Sequence, residues 1–134
     1  MRHLRILLCD DEPLILSWLQ SVLESDYTVV GTAEDGHSLI AAAQALRPDL
    51  ILTDITMPGL NGLDAVRELR RLLPKCRVIF HTSRSEPEIM AAAFLAGAAG
   101  YLIKGSSQSL VSAVHTVVRH ATNRTDALAV GQNV

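Results

Sequence analysis

Five mostly apolar runs of four to six residues, Leu4 to Cys9, Thr28 to Ala33, Leu50 to Thr53, Arg77 to His81 and Gly100 to Ile103, alternate with longer segments of helical period. Short apolar runs of this kind are strands buried on both faces, and the segments between them are long enough to carry the chain back for parallel pairing. The expected fold is therefore α/β, with helices on both faces of one parallel sheet.

The helical segments have legible ends. Pro13 to Glu24 starts with proline in its first turn and carries Leu14, Leu16, Trp18, Leu19, Val22 and Leu23 as an expected broad apolar face. Gly36 to Leu46 must stop at Arg47-Pro48, because Pro48 lacks an amide proton and forces its predecessor out of helical geometry. Gly62 to Leu73 places Leu63, Val66, Leu69, Leu72 and Leu73 inward and Arg67, Arg70 and Arg71 outward, and Pro74 closes it. Glu86 to Ala96 is Ala-rich with Gly97 as its cap, and Ser109 to Arg119 presents Leu110, Val114, Val117 and Val118. The count is five strands and five helices. The Ala triplets at 41–43 and 91–93 are helix interior, not a repeat.

With 134 residues and 49% hydrophobic content the chain can build one core without disulfides or structural metal. Its formal charge of -2, from 12 basic and 14 acidic side chains, lacks the positive excess of non-specific nucleic-acid binders. The first apolar run is too short for a signal peptide, and no later one reaches the ~18 residues of a membrane span. A cytoplasmic protein with no membrane partner is expected. Cys9 and Cys76 fall on the first and fourth strands, and a strand between these would hold them beyond the ~7 Å bridging limit, so both thiols should be free and buried.

Open α/β sheets bind ligands at the carboxyl ends of their strands. There this chain delivers Asp10 and Asp11 after the first strand, Asp54 after the third, Thr82 and Ser83 after the fourth and Lys104 after the fifth. Together these are a carboxylate nucleophile, an oxygen-rich pocket for Mg²⁺ or Mn²⁺, a hydroxyl donor and a fixed cation. Phosphoryl transfer suits such a set, because its transition state asks mainly for positioning and charge neutralisation, and a carboxylate can accept the group as an acyl phosphate. Mg²⁺ prefers octahedral oxygen ligands, and the Thr56 carbonyl, two residues after Asp54, is the expected backbone contribution.

Asp10-Asp11, the run from Asp54 through Ile55-Thr56-Met57-Pro58-Gly59 to Gly62, His81-Thr82-Ser83 and Gly100-Tyr101-Leu102-Ile103-Lys104 together resemble the receiver domain of two-component response regulators. The resemblance covers residues 1–120 and implies a flavodoxin-like, doubly wound five-stranded sheet of order 2-1-3-4-5. It implies that a sensor histidine kinase phosphorylates Asp54, that Asp11, Asp54 and the Thr56 carbonyl hold Mg²⁺ with Asp10 assisting through water, and that Lys104 pairs with the acyl phosphate. Thr82 would turn its hydroxyl onto a phosphoryl oxygen and Tyr101 would rotate inward, a two-state switch driven by one added anion and able to form a homodimer. The domain would assist its own phosphorylation and dephosphorylation without being a turnover enzyme. Gly105-Ser106-Ser107 after the lysine resembles the NarL/FixJ type, whose output is a LuxR-type helix-turn-helix. Residues 121–134 then read as a linker, or its start, to such a domain outside this chain, through which alone DNA would be contacted.

Each motif has a plainer reading. Asp10-Asp11 could merely cap the first helix, Thr82-Ser83 the fourth, and Lys104 could be a surface lysine. Asp54 at the matching end of another strand argues otherwise, since uncompensated carboxylates in proximity repel. The five histidines show no metal-ligand spacing. His81 and Arg84 lie beside the site. A haloacid-dehalogenase-type phosphatase would need a second Asp where Thr56 stands, and a flavin carrier would need a Ser/Thr-rich phosphate loop where Asp-Asp-Glu stands. The remaining alternative is a stand-alone or phosphorylation-independent receiver acting as an interaction module.

Overall fold

The computed structural model describes residues 3–105, 109–121 and 128–130. Strands β1 (Arg5–Cys9), β2 (Thr28–Ala33), β3 (Leu50–Thr53), β4 (Arg77–Thr82) and β5 (Gly100–Ile103) alternate with helices α1 (Pro13–Leu23), α2 (Gly36–Leu46), α3 (Gly62–Leu72), α4 (Pro87–Ala96) and α5 (Leu110–Ala121). The five strands pair in parallel in the expected order, 2-1-3-4-5. A sixth strand, β6 (Leu128–Val130), lies within the stretch read as linker and pairs in parallel with β5 beyond it. Three residues are too few to announce a strand by period, so nothing in the sequence separated it from linker.

Side chains alternate across the sheet and build two cores. Leu7, Cys9, Ile51, Val78, Phe80 and Tyr101 face α2, α3 and α4, while Ile6, Leu8, Leu50, Leu52, Ile79 and Leu102 face α1 and α5. Both cysteines are free and buried, as expected.

The α1 face needs correction. Leu16, Leu19 and Leu23 point inward, but Leu14 is 85% and Trp18 47% exposed. At 100° per residue Leu14 and Leu16 stand nearly opposite each other, so residues four apart, 14 and 18, share an outer row. Arg67 and Arg71 are outward with Asp64 and Glu68 as partners, whereas Arg70 turns in and donates to the Cys76 carbonyl at 2.8 Å.

Local chemistry sets the helix ends. Asp35 Oδ1 accepts from the Ser38 N–H (2.8 Å) and Asn61 Oδ1 from the Asp64 N–H (3.0 Å), capping α2 and α3. Arg47, at φ 50°, ends α2 in the left-handed region ahead of Pro48. No described helix is long and apolar enough to cross a membrane.

Candidate phosphoacceptor site

Backbone pairing continues one residue past the strands and fixes the site. The Asp10 N–H donates to the Ala33 carbonyl (3.1 Å), the Asp54 N–H to that of Cys9 (3.1 Å) and the Lys104 N–H to that of Thr82 (2.8 Å). Asp10, Asp54 and Thr82 are buried, while Asp11, Glu12 and Thr56 are exposed.

The Lys104 ammonium joins the two buried acids. Its Nζ lies 2.8 Å from Asp54 Oδ2 and 2.8 Å from Asp10 Oδ2, with Glu12 Oε1 at 3.9 Å. Burial draws the Lys104 pKa down, but its bonds to Asp10 and Asp54 prevail and the net direction is up, so it stays charged. The remaining oxygens bind backbone: Asp54 Oδ1 accepts from the Ile55 N–H (2.7 Å) and Asp10 Oδ1 from the Glu12 N–H (3.0 Å).

Asp10, Asp11 and Glu12 each bring a carboxylate oxygen within 4.8 Å of the others. Asp10 Oδ2 is buried and is paired with the Lys104 ammonium at 2.8 Å. An all-oxygen set of three carboxylates, one of them buried, fits a hard divalent cation. Glu12, the N-cap of α1, belongs to this oxygen cluster as the third acid of the Asp10-Asp11-Glu12 run, although the expected ligand set stops at Asp10, Asp11, Asp54 and the Thr56 carbonyl.

Thr82 Oγ1 accepts from the Arg84 N–H (3.2 Å), leaving its own proton to donate. Arg84 forks onto Glu86, with Nη2 2.7 Å from Oε2, and Nη1 reaches Thr56 Oγ1 at 3.4 Å. The hydrogen bond from Arg84 holds the Glu86 carboxyl down at about 2. Tyr101, pictured from the sequence as turning inward on activation, is already inward. Its ring is buried, 6.2 Å from Phe80 and 6.4 Å from Phe94 between centroids, and its hydroxyl donates to the Arg84 carbonyl at 2.7 Å. The apolar ring gains more from that core than from solvent, and the Arg84 carbonyl satisfies its hydroxyl.

His81 flanks the site on the α1 side. It is buried, its Nδ1 has no hydrogen-bond partner among the described residues, and Trp18 stacks against it at 6.3 Å between centroids. Burial, then the Lys104 charge, push the His81 pKa down from 6.5 to about 4. A base with a depressed folded pKa binds its proton more readily when unfolded, so its share of stability is complete above about pH 6.5 and is lost as pH falls toward 4. Between pH 7 and pH 5 that loss is about 2 kcal/mol. Urea melts at the two pH values should therefore show His81→Leu with a pH dependence flatter by about that amount, and equal slopes would refute the assignment.

Comparison with known proteins adds to this geometry. A family model described as response regulator receiver domain matches residues 6–115. The nitrate/nitrite response regulator protein NarL of Escherichia coli K12 is 37% identical over 82% of this chain and 52% of its own. The transcriptional regulatory protein MctR of Rhizobium johnstonii is 36% identical over 89% of this chain and 57% of its own. The chain thus spans about half the length of the curated relatives it matches. Among solved structures, a two-component response regulator of the LuxR family from Aurantimonas sp. SI85-9A1 superposes with a TM-score of 0.82 at 26% identity, covering 94% of this chain and 89% of that one.

Proposed function

Since the chain belongs to the response regulator receiver domain family, on its NarL/FixJ branch, we propose that Asp54 accepts a phosphoryl group from the phosphohistidine of a sensor kinase in the cytoplasm. The observation that carries this reading is the single ammonium of Lys104 held 2.8 Å from both Asp54 and Asp10. The carboxylate stands at the end of its strand beside a fixed cation, which can neutralise charge on an incoming phosphoryl group.

In the transfer, an Asp54 carboxylate oxygen attacks phosphorus, the P–N bond to the donor imidazole breaks, and the departing nitrogen keeps the bonding pair and takes a proton. A divalent cation, Mg²⁺ or Mn²⁺, held by Asp10, Asp11, Asp54 and the Thr56 carbonyl with Glu12 at hand, would supply charge neutralisation at the phosphoryl oxygens. Lys104 moves its ion pair from the Asp54 carboxylate to a phosphoryl oxygen, and Thr82 donates its hydroxyl to another. Because Thr82 bonds the Arg84 N–H and Tyr101 bonds the Arg84 carbonyl, a shift of Thr82 is passed to Tyr101 through one peptide segment. That replaces the expected rotation of Tyr101 as the readout. The signal then reaches a DNA-binding output domain outside this chain, with a homodimer as the active form.

Incubation with Mg²⁺ and acetyl phosphate should add one phosphoryl group by intact mass, and Mg²⁺ alone should change the fluorescence of Trp18, the sole tryptophan, stacked on His81 beside the site. An unmodified mass together with an unchanged emission spectrum would sink the reading.

A further inference from the structure

We propose that the end of the sheet opposite Asp54 carries a second, independent binding site, for a small anion with an apolar body: a carboxylate or phosphate monoester on an aromatic or short aliphatic group. A cleft of 370 Å³ opens there, between the α2–β3 and α3–β4 connections, a size within the range of small-molecule sites. Its walls include the buried side chains of Leu73 and Cys76, and three cations, Arg47, Lys75 and Arg77, line it against one acid, Asp49. Burial pushes the Cys76 thiol up to about 12, so that wall is uncharged.

The frame is built and held. Arg5 donates from Nη1 to the Arg47 carbonyl and from Nη2 to that of Leu46, both at 2.7 Å, and its N–H donates to Asp49 Oδ2 at 2.9 Å. Arg70 fixes the other wall through the Cys76 carbonyl at 2.8 Å. These two guanidiniums are engaged by the backbone. Arg47, Lys75 and Arg77 make no side-chain hydrogen bond or ion pair among the described residues, and Arg47 and Lys75 are exposed. Arg47 also occupies the left-handed region at φ 50°, where glycine would be easier. Three available cations over apolar walls recognise an amphipathic anion: charge-assisted bonds orient its head, and Leu73 and Cys76 receive its body.

Amide shifts of the chain should be followed by NMR during titration with phenyl phosphate, benzoate, inorganic phosphate and benzyl alcohol at fixed ionic strength. The expected result is a saturable shift of the Asp49, Lys75, Cys76 and Arg77 amides, at about millimolar ligand or below, with phenyl phosphate or benzoate. Which of the two is tighter identifies the head group. Arg47→Gly, which suits the backbone and should fold, and Lys75→Gln should each weaken binding about tenfold. Non-saturating shifts, equal binding of benzyl alcohol or of inorganic phosphate, or unchanged affinity in both variants would overturn the proposal.

Discussion

Asp54→Asn should abolish the phosphoryl adduct, lowering its rate of formation by at least about a hundredfold, because the amide offers neither the anion nor the nucleophilic oxygen that attacks phosphorus. The substitution preserves shape: the side-chain oxygen still accepts the Ile55 N–H that Asp54 Oδ1 receives at 2.7 Å, so far-UV circular dichroism should be unchanged. Lys104 keeps Asp10 at 2.8 Å and loses only one of its two buried anions. Intact mass and peptide mapping after acetyl phosphate treatment give the measurement. An adduct that persists on the Asn variant, or that maps to another residue of the wild type, would remove Asp54 from the acceptor role.

The second large effect is structural and lies under the same loop. Gly62 opens α3, donates its N–H to the Ile55 carbonyl at 2.7 Å, and packs so closely that a Cβ there would strike the Asp54 carbonyl oxygen and stand 2.8 Å from Ile55 Cα. Both obstacles are backbone and cannot rotate away. Gly62→Ala should therefore destabilise the fold by about 3 kcal/mol and slow phosphorylation by displacing Asp54. Gly59 is the control: at φ +70° its added Cβ meets nothing closer than 3.9 Å, so Gly59→Ala should cost only the left-handed strain, about 1 kcal/mol. Urea midpoints would decide, and a Gly62→Ala protein within 1 kcal/mol of the parent would discredit the close packing.

The sequence exposed what depends on chain order. Asp10, Asp54, Thr82 and Lys104 each follow or end an apolar run, and a parallel sheet has no choice but to gather such positions at one edge. What remained hidden depends on where long side chains turn once folded. Lys104 could have faced solvent, yet it spans to two carboxylates. Helical period alone turns Arg70, one of three arginines on α3, outward, because it cannot see the carbonyl of Cys76 that receives it. Hydrophobicity alone turns Leu14 and Trp18 inward, although their angular position on α1, opposite Leu16, excludes it. The place of Tyr101 is set by Phe80, Phe94 and one carbonyl, none of which its position in the chain reveals.

The sheet divides the molecule into two apolar compartments that do not touch through it: Leu8 and Leu52, which lead to Asp10 and Asp54, face α1 and α5, whereas Phe80 and Tyr101 face α2, α3 and α4. Alternation puts Thr82 on the Phe80 side and the two acids on the other. A covalent change at Asp54 can then be felt on the far side only at the rim, where the strands end and no backbone intervenes. The sheet acts as an insulator and its carboxyl edge as the junction, so a charge added to Asp54 in one compartment would reach the other through that edge.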